Sequence, residues 1–268
     1  MSHLYYDLTQ DRSAADELHW VCDSSPHTVG PWSPVLQHGG PPNALAVAAA
    51  ERIVSQVTHR DDLTALRLGS EFVGPVPVAE LEVRAAIVRA ARSAVLAEVT
   101  VLAAGRRCLT SRVWFVRRAD TSEQAPALGP GTELPDDLPG LDHSFGYGDS
   151  LDWRRVSGGL SEPGPGTAWT RARTGLFDGY EWSGLARAVL VADSGNGLSS
   201  ELDWSAWSFV NVDLDVHLAR PVVGEWVLLD AATQLGAHGS ALARSTLSDR
   251  HGVVGAGLQT LVLAPARS

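Results

Sequence analysis

The pattern of apolar and polar residues divides the chain into one clear helix and a series of strand-like runs. Residues Asn43–Val57 are rich in alanine and carry apolar side chains at helical spacing, which predicts a helix. The apolar runs that follow predict four strands, at about 64–73, 80–89, 94–103 and 108–117. The last two of these strands are predicted to form a hairpin that turns at Ala104–Arg107.

The same order of elements recurs in the last third of the chain. Two short strand candidates at 151–158 and 166–174 are followed by a second predicted helix at about 182–193. Four more strand-like runs come after it, at about 204–218, 224–234, 239–248 and 253–263. Each half therefore predicts a curved antiparallel sheet around one central helix, and the two sheets are expected to pair.

A fixed offset relates the two halves. Pro75 lies opposite Pro221, 146 residues later, and the same offset places Arg106 of the first hairpin turn opposite Gly252 of the second. Residues 119–150 between the halves are rich in Pro, Gly and acidic residues, which indicates a linker. We therefore predict an α+β fold with an N-terminal unit at 1–118 and a C-terminal unit at 151–268.

Composition narrows the classes of function. No apolar run is long enough to span a bilayer and no signal peptide is recognised, so a cytoplasmic location is expected. The net charge of −10 argues against a nucleic-acid partner. All 21 basic residues are arginine, so chemistry that needs a Schiff-base or P-loop lysine is excluded. Two cysteines, Cys22 and Cys108, are expected to be free thiols.

Sequence motifs for common active sites are also missing. The chain contains no HExxH, no GxSxG and no complete GxGxxG, and its cysteines and histidines lack zinc spacing. We therefore expect neither a metal nor a cofactor.

Three polar side chains within the C-terminal strand-like runs are the candidate chemistry. Asp213, Thr233 and Gln259 each interrupt an otherwise apolar strand, so each either faces solvent or is aimed at a site. Strict alternation places Asp213 on the polar face of its strand. The alternative to a role at a site is therefore that Asp213 is an ordinary solvent-facing aspartate. The residues 146 positions earlier lack this polar set, since they are Arg67, Ile87 and Val113. We therefore infer one working site for each chain.

Three segments of the chain together resemble a known family. The segments are LQHGGPPNALAVAAAE, NVDLDVHLARPVVGEWVLLDAAT and DRHGVVGAGLQTLVL, and they are similar to the acyl-CoA thioesterase II relatives of the double hotdog type. The resemblance spans nearly the whole chain. It implies two curved antiparallel sheets, each wrapped around a central helix, and hydrolysis of a fatty acyl-CoA without a cofactor. It also implies a homo-oligomer, expected to be a dimer.

The resemblance implies roles for the three polar residues. In this family an acid, a hydroxyl residue and a glutamine hold the hydrolytic water, and the matching positions are Asp213, Thr233 and Gln259. Asp213 would be the general base, and the other two would orient the water. Gln234 takes the place of Thr233 if the register slips by one residue, a shift that reverses the face of the strand.

The resemblance also implies a substrate-binding glycine pair. Gly39 and Gly40 precede the first helix, where free N–H groups stabilise negative charge on a thioester oxygen. Pro41 and Pro42 follow them, depart from the family's pattern and remove two N–H donors.

Two rival functions remain at this stage. A catalytically silent protein of the same fold would bind acyl-CoA or an acyl carrier without turnover, which the two prolines and the register at Thr233 favour. A hotdog hydratase or dehydratase would need a histidine and an acid together at the helix entry, and only His38 lies there in the sequence. We interpret His38 and His217 as structural or exposed residues.

Overall fold

The computed structural model describes residues 4–125 and 133–266. In the first half the elements are β1 (Tyr6–Asp11), β2 (Glu17–Ser24), α1 (Gly40–Thr58), β3 (Leu63–Phe72), β4 (Glu80–Ala90), β5 (Ala94–Ala103) and β6 (Arg106–Arg117). In the second half they are α2 (Gly146–Asp149), β7 (Leu151–Gly159), β8 (Glu162–Ala172), α3 (Gly184–Ala192), α4 (Gly195–Leu198), β9 (Trp207–Asn211), β10 (Asp213–Leu218), β11 (Val227–Leu235), β12 (Ser240–Asp249) and β13 (Gly252–Pro265). Part of the predicted linker, residues 126–132, lies outside the described residues.

The two halves have the same strand order. It runs β1-β2-β4-β5-β6-β3 in the first half and β7-β8-β11-β12-β13-β10 in the second. Antiparallel pairing of β3 with β10 joins the halves into one continuous sheet, and β9 pairs with β13 beside this path. β1 and β2 were not predicted from the sequence. With them, the repeating unit is two strands, a helix and four strands.

Strand pairing repeats with the expected offset. In the first hairpin Ala103 pairs with Arg106, and in the second Asp249 pairs with Gly252, so both partners lie 146 positions later. The register that the sequence suggested is therefore present in the backbone of both halves.

Helix α1 lies at the interior of the molecule. Every residue from Gly40 to Ala50 is buried, and the helix packs against β2, β4 and β5 as well as against α3. Its many alanines allow close approach on several sides. The helix begins three residues before the predicted start because Pro41 and Pro42 occupy its first turn, where their missing N–H groups cost no hydrogen bond. No helix in the described part of the chain is long and apolar enough to cross a membrane.

The predicted strand 204–218 is interrupted. β9 ends at Asn211 and β10 begins at Asp213, and the pairing with β13 shifts by one residue between them. Val212 is therefore an extra residue, like that of a β-bulge, and it reverses the alternation of side chains. Asn211 and the buried Leu214 face the interior, whereas Asp213 faces the outer side of the sheet.

The turn between β5 and β6 makes a test of local strain possible. Ala104 has a φ of 48° and Gly105 a φ of 73°, a conformation that disfavours a side chain. We expect Ala104→Gly to raise the free energy of unfolding by about 0.5–1 kcal/mol and Gly105→Ala to lower it by a similar amount. Urea denaturation measures both, and an equal effect of the two changes would contradict the strain argument.

Candidate active site

A pocket of about 350 Å³ opens where the N-terminus of α1 meets the C-terminal end of α3. Both halves of the chain contribute to it. Its wall is largely apolar and aromatic and includes Trp32, Leu36, Phe72, Phe145, Trp153 and Trp204. The polar groups on the wall include His38, Asp193 and Asn211, next to Gly39. An apolar cleft with a few convergent polar groups is the usual form of a small-molecule site.

Asp193 is the acid of this pocket. It follows the last residue of α3, and only 3% of its surface is exposed to solvent. Its Oδ1 accepts a hydrogen bond from Asn211 Nδ2 at 2.9 Å, and its Oδ2 lies 3.0 Å from His38 Nδ1. A buried carboxylate requires such partners, because isolated charge is costly away from water. The carboxylate is therefore held at the pocket by one residue from each half.

Gln259 fixes Asp193 from behind. Its Nε2 donates to the backbone oxygen of Asp193 at 3.1 Å and lies 3.3 Å from Oδ1 of the same residue. Its Oε1 accepts from the backbone N–H of Asn196 at 3.0 Å, at the start of α4. The side chain is buried and is not part of the pocket wall. Gln259 therefore links Asp193 at the end of α3 to the start of α4.

The ring of His38 is held in place by Tyr147. The two rings stack at a centroid distance of 3.7 Å and an angle of 8°. The Tyr147 hydroxyl donates to the backbone oxygen of Leu190 at 2.6 Å, and burial raises the pKa of Tyr147 well above its usual value. Tyr147 comes from the segment predicted as a linker, so the end of that segment is a structural part of the site.

The Nδ1 atom of His38 lies within hydrogen-bonding distance of two groups of the site. The His38 Nδ1 atom lies 3.1 Å from the N–H of Gly40 and 3.0 Å from Asp193 Oδ2. A single ring nitrogen cannot accept from one and donate to the other at the same time. When Nδ1 carries a proton it donates to Asp193, and the Gly40 N–H at the start of α1 is then free to bind another acceptor.

The three predicted catalytic residues do not converge on one point. The Asp213 carboxylate accepts hydrogen bonds from the N–H and hydroxyl of Thr260, at 2.5 and 3.0 Å, on the outer side of the sheet. The Thr233 hydroxyl lies 2.8 Å from Ser199 Oγ, and Gln259 binds Asp193. The structure therefore does not bring the three side chains together in one hydrogen-bonded group. The extra residue Val212 is the reason that Asp213 lies on the opposite face from Gln259.

Thr233 and Gln259 do share a face. Thr233 pairs with Ala243 of β12, and Ala243 pairs with Gln259 of β13, so the two side chains stand on the inner side two strands apart. That separation is about 10 Å. Gln234 is exposed on the other face.

The predicted glycine pair divides between two positions. Gly39 lies on the pocket wall, beside Asp193, whereas Gly40 is buried against the backbone of α3. A Cβ atom on Gly39 would lie 2.7 Å from Asp193 Oδ2 and 2.5 Å from the Phe72 ring. Glycine is therefore required at Gly39 for the acid to approach the start of α1.

Asp193 and Asn211 were not predicted from the sequence as site residues, and His38 was expected to be structural or exposed. Asp193 lies 155 residues beyond His38 in the chain, and only the packing of α1 on α3 brings the two together. One signal was available, since Asp193 ends the very apolar run GLARAVLVA of α3 and is buried with it.

A second pocket of about 300 Å³ lies at the related position of the repeat. Gly184, at the start of α3, and Glu51 of α1 both line this pocket. The Glu51 carboxylate accepts from the Tyr180 hydroxyl at 2.8 Å, and burial raises the pKa of Glu51. Ala65 lies on the wall of this second pocket, 146 positions before Asn211. The second pocket therefore has no counterpart of the Asn211 amide that binds Asp193 in the first.

The fold and the pocket define a double hotdog protein with a buried carboxylate at the junction of its two repeats. Two family models match the chain, the acyl-CoA thioesterase N-terminal domain over residues 28–116 and the acyl-CoA thioesterase C-terminal domain over residues 119–263. The chain belongs to the acyl-CoA thioesterase family, and its enzyme class is thioester hydrolase.

Solved structures agree on the fold. The chain is similar to a hotdog-fold protein of unknown function from Alicyclobacillus acidocaldarius, with 17% identity, a TM-score of 0.74 and coverage of 98% of each chain. It is also similar to an acyl-CoA thioesterase II from Mycobacterium marinum, with 15% identity, a TM-score of 0.70 and coverage of 99% of this chain and 97% of that chain. No curated protein sequence matches the chain.

Proposed function

We propose that this protein hydrolyses a fatty acyl-CoA to the free acid and CoA in the pocket between α1 and α3. The observation that carries the proposal is a buried carboxylate, Asp193, beside the glycine turn at Gly39 in a largely apolar pocket. The aromatic wall suits an acyl chain, and exclusion of water strengthens the interactions of the polar groups with a reacting thioester.

The start of α1 suits the thioester oxygen. Gly39 leaves space for a ligand. The Gly40 N–H is the one N–H among the first three residues of α1, because Pro41 and Pro42 carry none. This N–H and the helix dipole favour the negative charge that forms on the carbonyl oxygen during attack.

Several finer expectations stay predictions. That Asp213 is the base, with Thr233 and Gln259 orienting the water, is one of them. Assembly as a dimer and a cytoplasmic location are two more. We also propose that each half of the sheet wraps around its own helix, which the packing of α1 on β4 and β5 and of α3 on β8, β10 and β11 supports.

Release of free thiol tests the proposed function. We expect the purified protein to release one thiol for each acid formed from hexanoyl-CoA or dodecanoyl-CoA, followed with a thiol reagent. If no thiol appears and acyl-CoA still raises the melting temperature, the protein is a binding protein instead.

A hydratase assay should accompany the thiol assay, because Asp193 lies beside His38 in the structure and no acid lies near His38 in the sequence. Loss of the enoyl absorbance of a 2-enoyl-CoA without thiol release would favour a hydratase. We expect thiol release, and no loss of enoyl absorbance beyond the loss that this hydrolysis causes.

The pocket itself is tested by Gly39→Ala. The added methyl group would push Asp193 and the Phe72 ring aside, so we expect kcat/KM to fall by about 100-fold while the fold persists. The matched control is Gly74→Ala on the same pocket wall, where a Cβ atom would lie 3.5 Å from the Arg107 backbone oxygen, an ordinary contact. Equal activity of the two variants would place the reaction elsewhere.

A further inference from the structure

We infer that Gly197, Leu160 and Trp204 close the acyl end of the pocket and restrict the substrate to esters with short acyl chains, such as hexanoyl-CoA. This inference rests on the proposed function and deepens it, because it names the part of the pocket that limits the length of the acyl chain. All three residues lie on the pocket wall, and all three come from the second half of the chain.

One side of the pocket is a short helical run from Asp193 to Gly197. Asp193, Ser194, Asn196 and Gly197 all line the pocket. Asp193 and Ser194 have right-handed helical dihedral angles, and α4 continues the run. Four residues of helix advance about 6 Å, so Gly197 lies about one helical turn from the acid. A chain whose thioester lies beside Asp193 therefore follows only a short stretch of wall before it reaches Gly197.

Two side chains lie directly beyond Gly197. A Cβ atom on Gly197 would lie 3.5 Å from Cη2 and 3.6 Å from Cζ2 of the Trp204 ring, and 3.7 Å from Cδ2 of Leu160. The edge of the indole and the leucine methyl group therefore form the end wall of the pocket. Gly197 lies within α4 and does not have a positive φ, so its backbone accepts a larger side chain without strain.

The Trp204 ring is held in place by two further rings. Trp32 stacks on it at a centroid distance of 4.9 Å and an angle of 16°, and Phe209 meets it edge to face at 4.7 Å and 77°. Phe209 also meets Trp32 edge to face at 4.8 Å, and it is buried. Both arrangements are favourable for aromatic pairs. A longer acyl chain therefore has to disrupt these ring contacts in order to pass Trp204.

The apolar end wall gives a definite dependence on chain length. Each methylene group buried in the pocket strengthens binding by about fourfold. Beyond the end wall an additional methylene group has to displace packed side chains, which opposes binding. The value of kcat/KM should therefore rise with chain length until the chain meets Trp204 and Leu160, and then fall.

A series of esters tests this dependence on the wild-type protein. The series is butanoyl-, hexanoyl-, octanoyl- and dodecanoyl-CoA, each used below the concentration at which it forms micelles. We expect kcat/KM to be at least about 10-fold higher for hexanoyl-CoA than for dodecanoyl-CoA. A value that rises steadily to dodecanoyl-CoA would overturn the inference.

Substitutions at Gly197 should shorten the accepted chain. Gly197→Leu fills the space before the end wall, so we expect the ratio of kcat/KM for butanoyl-CoA to that for hexanoyl-CoA to rise by about 10-fold. The methyl group of Gly197→Ala meets Trp204 and Leu160 at ordinary contact distances, so a smaller shift in the same direction is expected. The ratio compares two esters on one protein, so a partial loss of folded protein cancels.

Replacement of Trp204 by alanine should have the opposite effect. It opens the end wall, so we expect the ratio of kcat/KM for dodecanoyl-CoA to that for hexanoyl-CoA to rise by about 10-fold. Trp114→Ala is the matched control, because Trp114 is not among the described lining residues and lies under the Arg89 guanidinium at 5.8 Å. An equal shift in the control would attribute the effect to a general loss of packing and overturn the role of Trp204.

The failures of the two proposals are distinguishable. If wild type releases thiol from none of the four esters, the proposed function is wrong. The end wall is then tested by the binding of S-hexyl-CoA and S-dodecyl-CoA, thioethers that cannot be hydrolysed, and tighter binding of the dodecyl compound overturns it. If wild type and Gly197→Leu turn over all four esters with the same relative rates, the proposed function stands and the inference about chain length is overturned.

Discussion

Replacement of Gly40 by alanine is expected to remove most of the activity and to lower the free energy of unfolding by about 2 kcal/mol. A Cβ atom at this position would lie 2.5 Å from the backbone oxygen of Leu190 and 3.2 Å from the Tyr147 ring. A backbone oxygen within α3 cannot turn aside as a side chain can. The two helices would have to separate, which moves the start of α1 away from Asp193.

Urea denaturation and kcat/KM on hexanoyl-CoA measure the two effects together. Alanine is normally the better residue within a helix, by about 0.5–1 kcal/mol, so propensity alone predicts a gain in stability. The contacts in the structure predict a lower free energy of unfolding, so the sign of the measured change distinguishes the two expectations. Gly74→Ala is again the control, since its methyl group meets no close contact. A stable and active Gly40→Ala protein would contradict the contact between the helices.

Replacement of Arg220 by methionine is expected to lower the free energy of unfolding by about 3 kcal/mol at neutral pH. The Arg220 guanidinium binds both oxygens of Asp249, at 2.5 and 2.7 Å, and the backbone oxygen of Gly252 at 3.0 Å. Asp249 is fully buried, so loss of Arg220 leaves a buried carboxylate with no opposite charge and only the backbone N–H groups of Val223 and His251 as donors. The pair joins the segment after β10 to the β12–β13 turn.

The pH dependence gives this prediction a second test. Burial by itself raises the pKa of Asp249, but hydrogen bonds from Arg220 and from the N–H groups of Val223 and His251 outweigh it and hold the pKa below its usual value. The stabilisation is therefore present above the unfolded-state value of about 3.9 and is lost as the pH falls through the lower folded-state value.

We expect the difference between wild type and Arg220→Met to shrink in acid, followed by urea denaturation at several pH values. Arg244→Met is the control, because Arg244 is an exposed arginine on β12. A difference that stays constant from neutral pH into strong acid would show that the ion pair is not its source.

Much of the fold could be predicted from the sequence because the repeat is regular. Apolar runs located both central helices and the eight principal strands. The strands repeat with an offset of 146 residues, and the hairpins pair with that offset. β1 and β2 were missed because the edge strand β1 is mostly exposed and carries little apolar pattern. The pairing of β3 with β10, expected only in general terms, depends on tertiary contacts.

The site was less accessible to sequence reasoning, for two physical reasons. Alternation along 204–218 assumes an unbroken strand with Asn211 and Asp213 on one face, and the single extra residue at Val212 places them on opposite faces. The second reason is distance in the chain, since His38 and Asp193 meet only through the packing of α1 on α3. Gln259, by contrast, was found because a buried amide within an apolar strand needs partners.

The most direct test of the account is a crystal structure of the wild-type protein with S-hexyl-CoA bound. We expect the sulfur to lie beside Gly39 and Asp193 and the alkyl chain to lie against the stacked rings of Trp32 and Trp204 on the pocket wall. An alkyl chain in the repeat-related pocket beside Glu51, or on the outer side of the sheet beside Asp213, would contradict the claim that the junction of the two repeats is the active site.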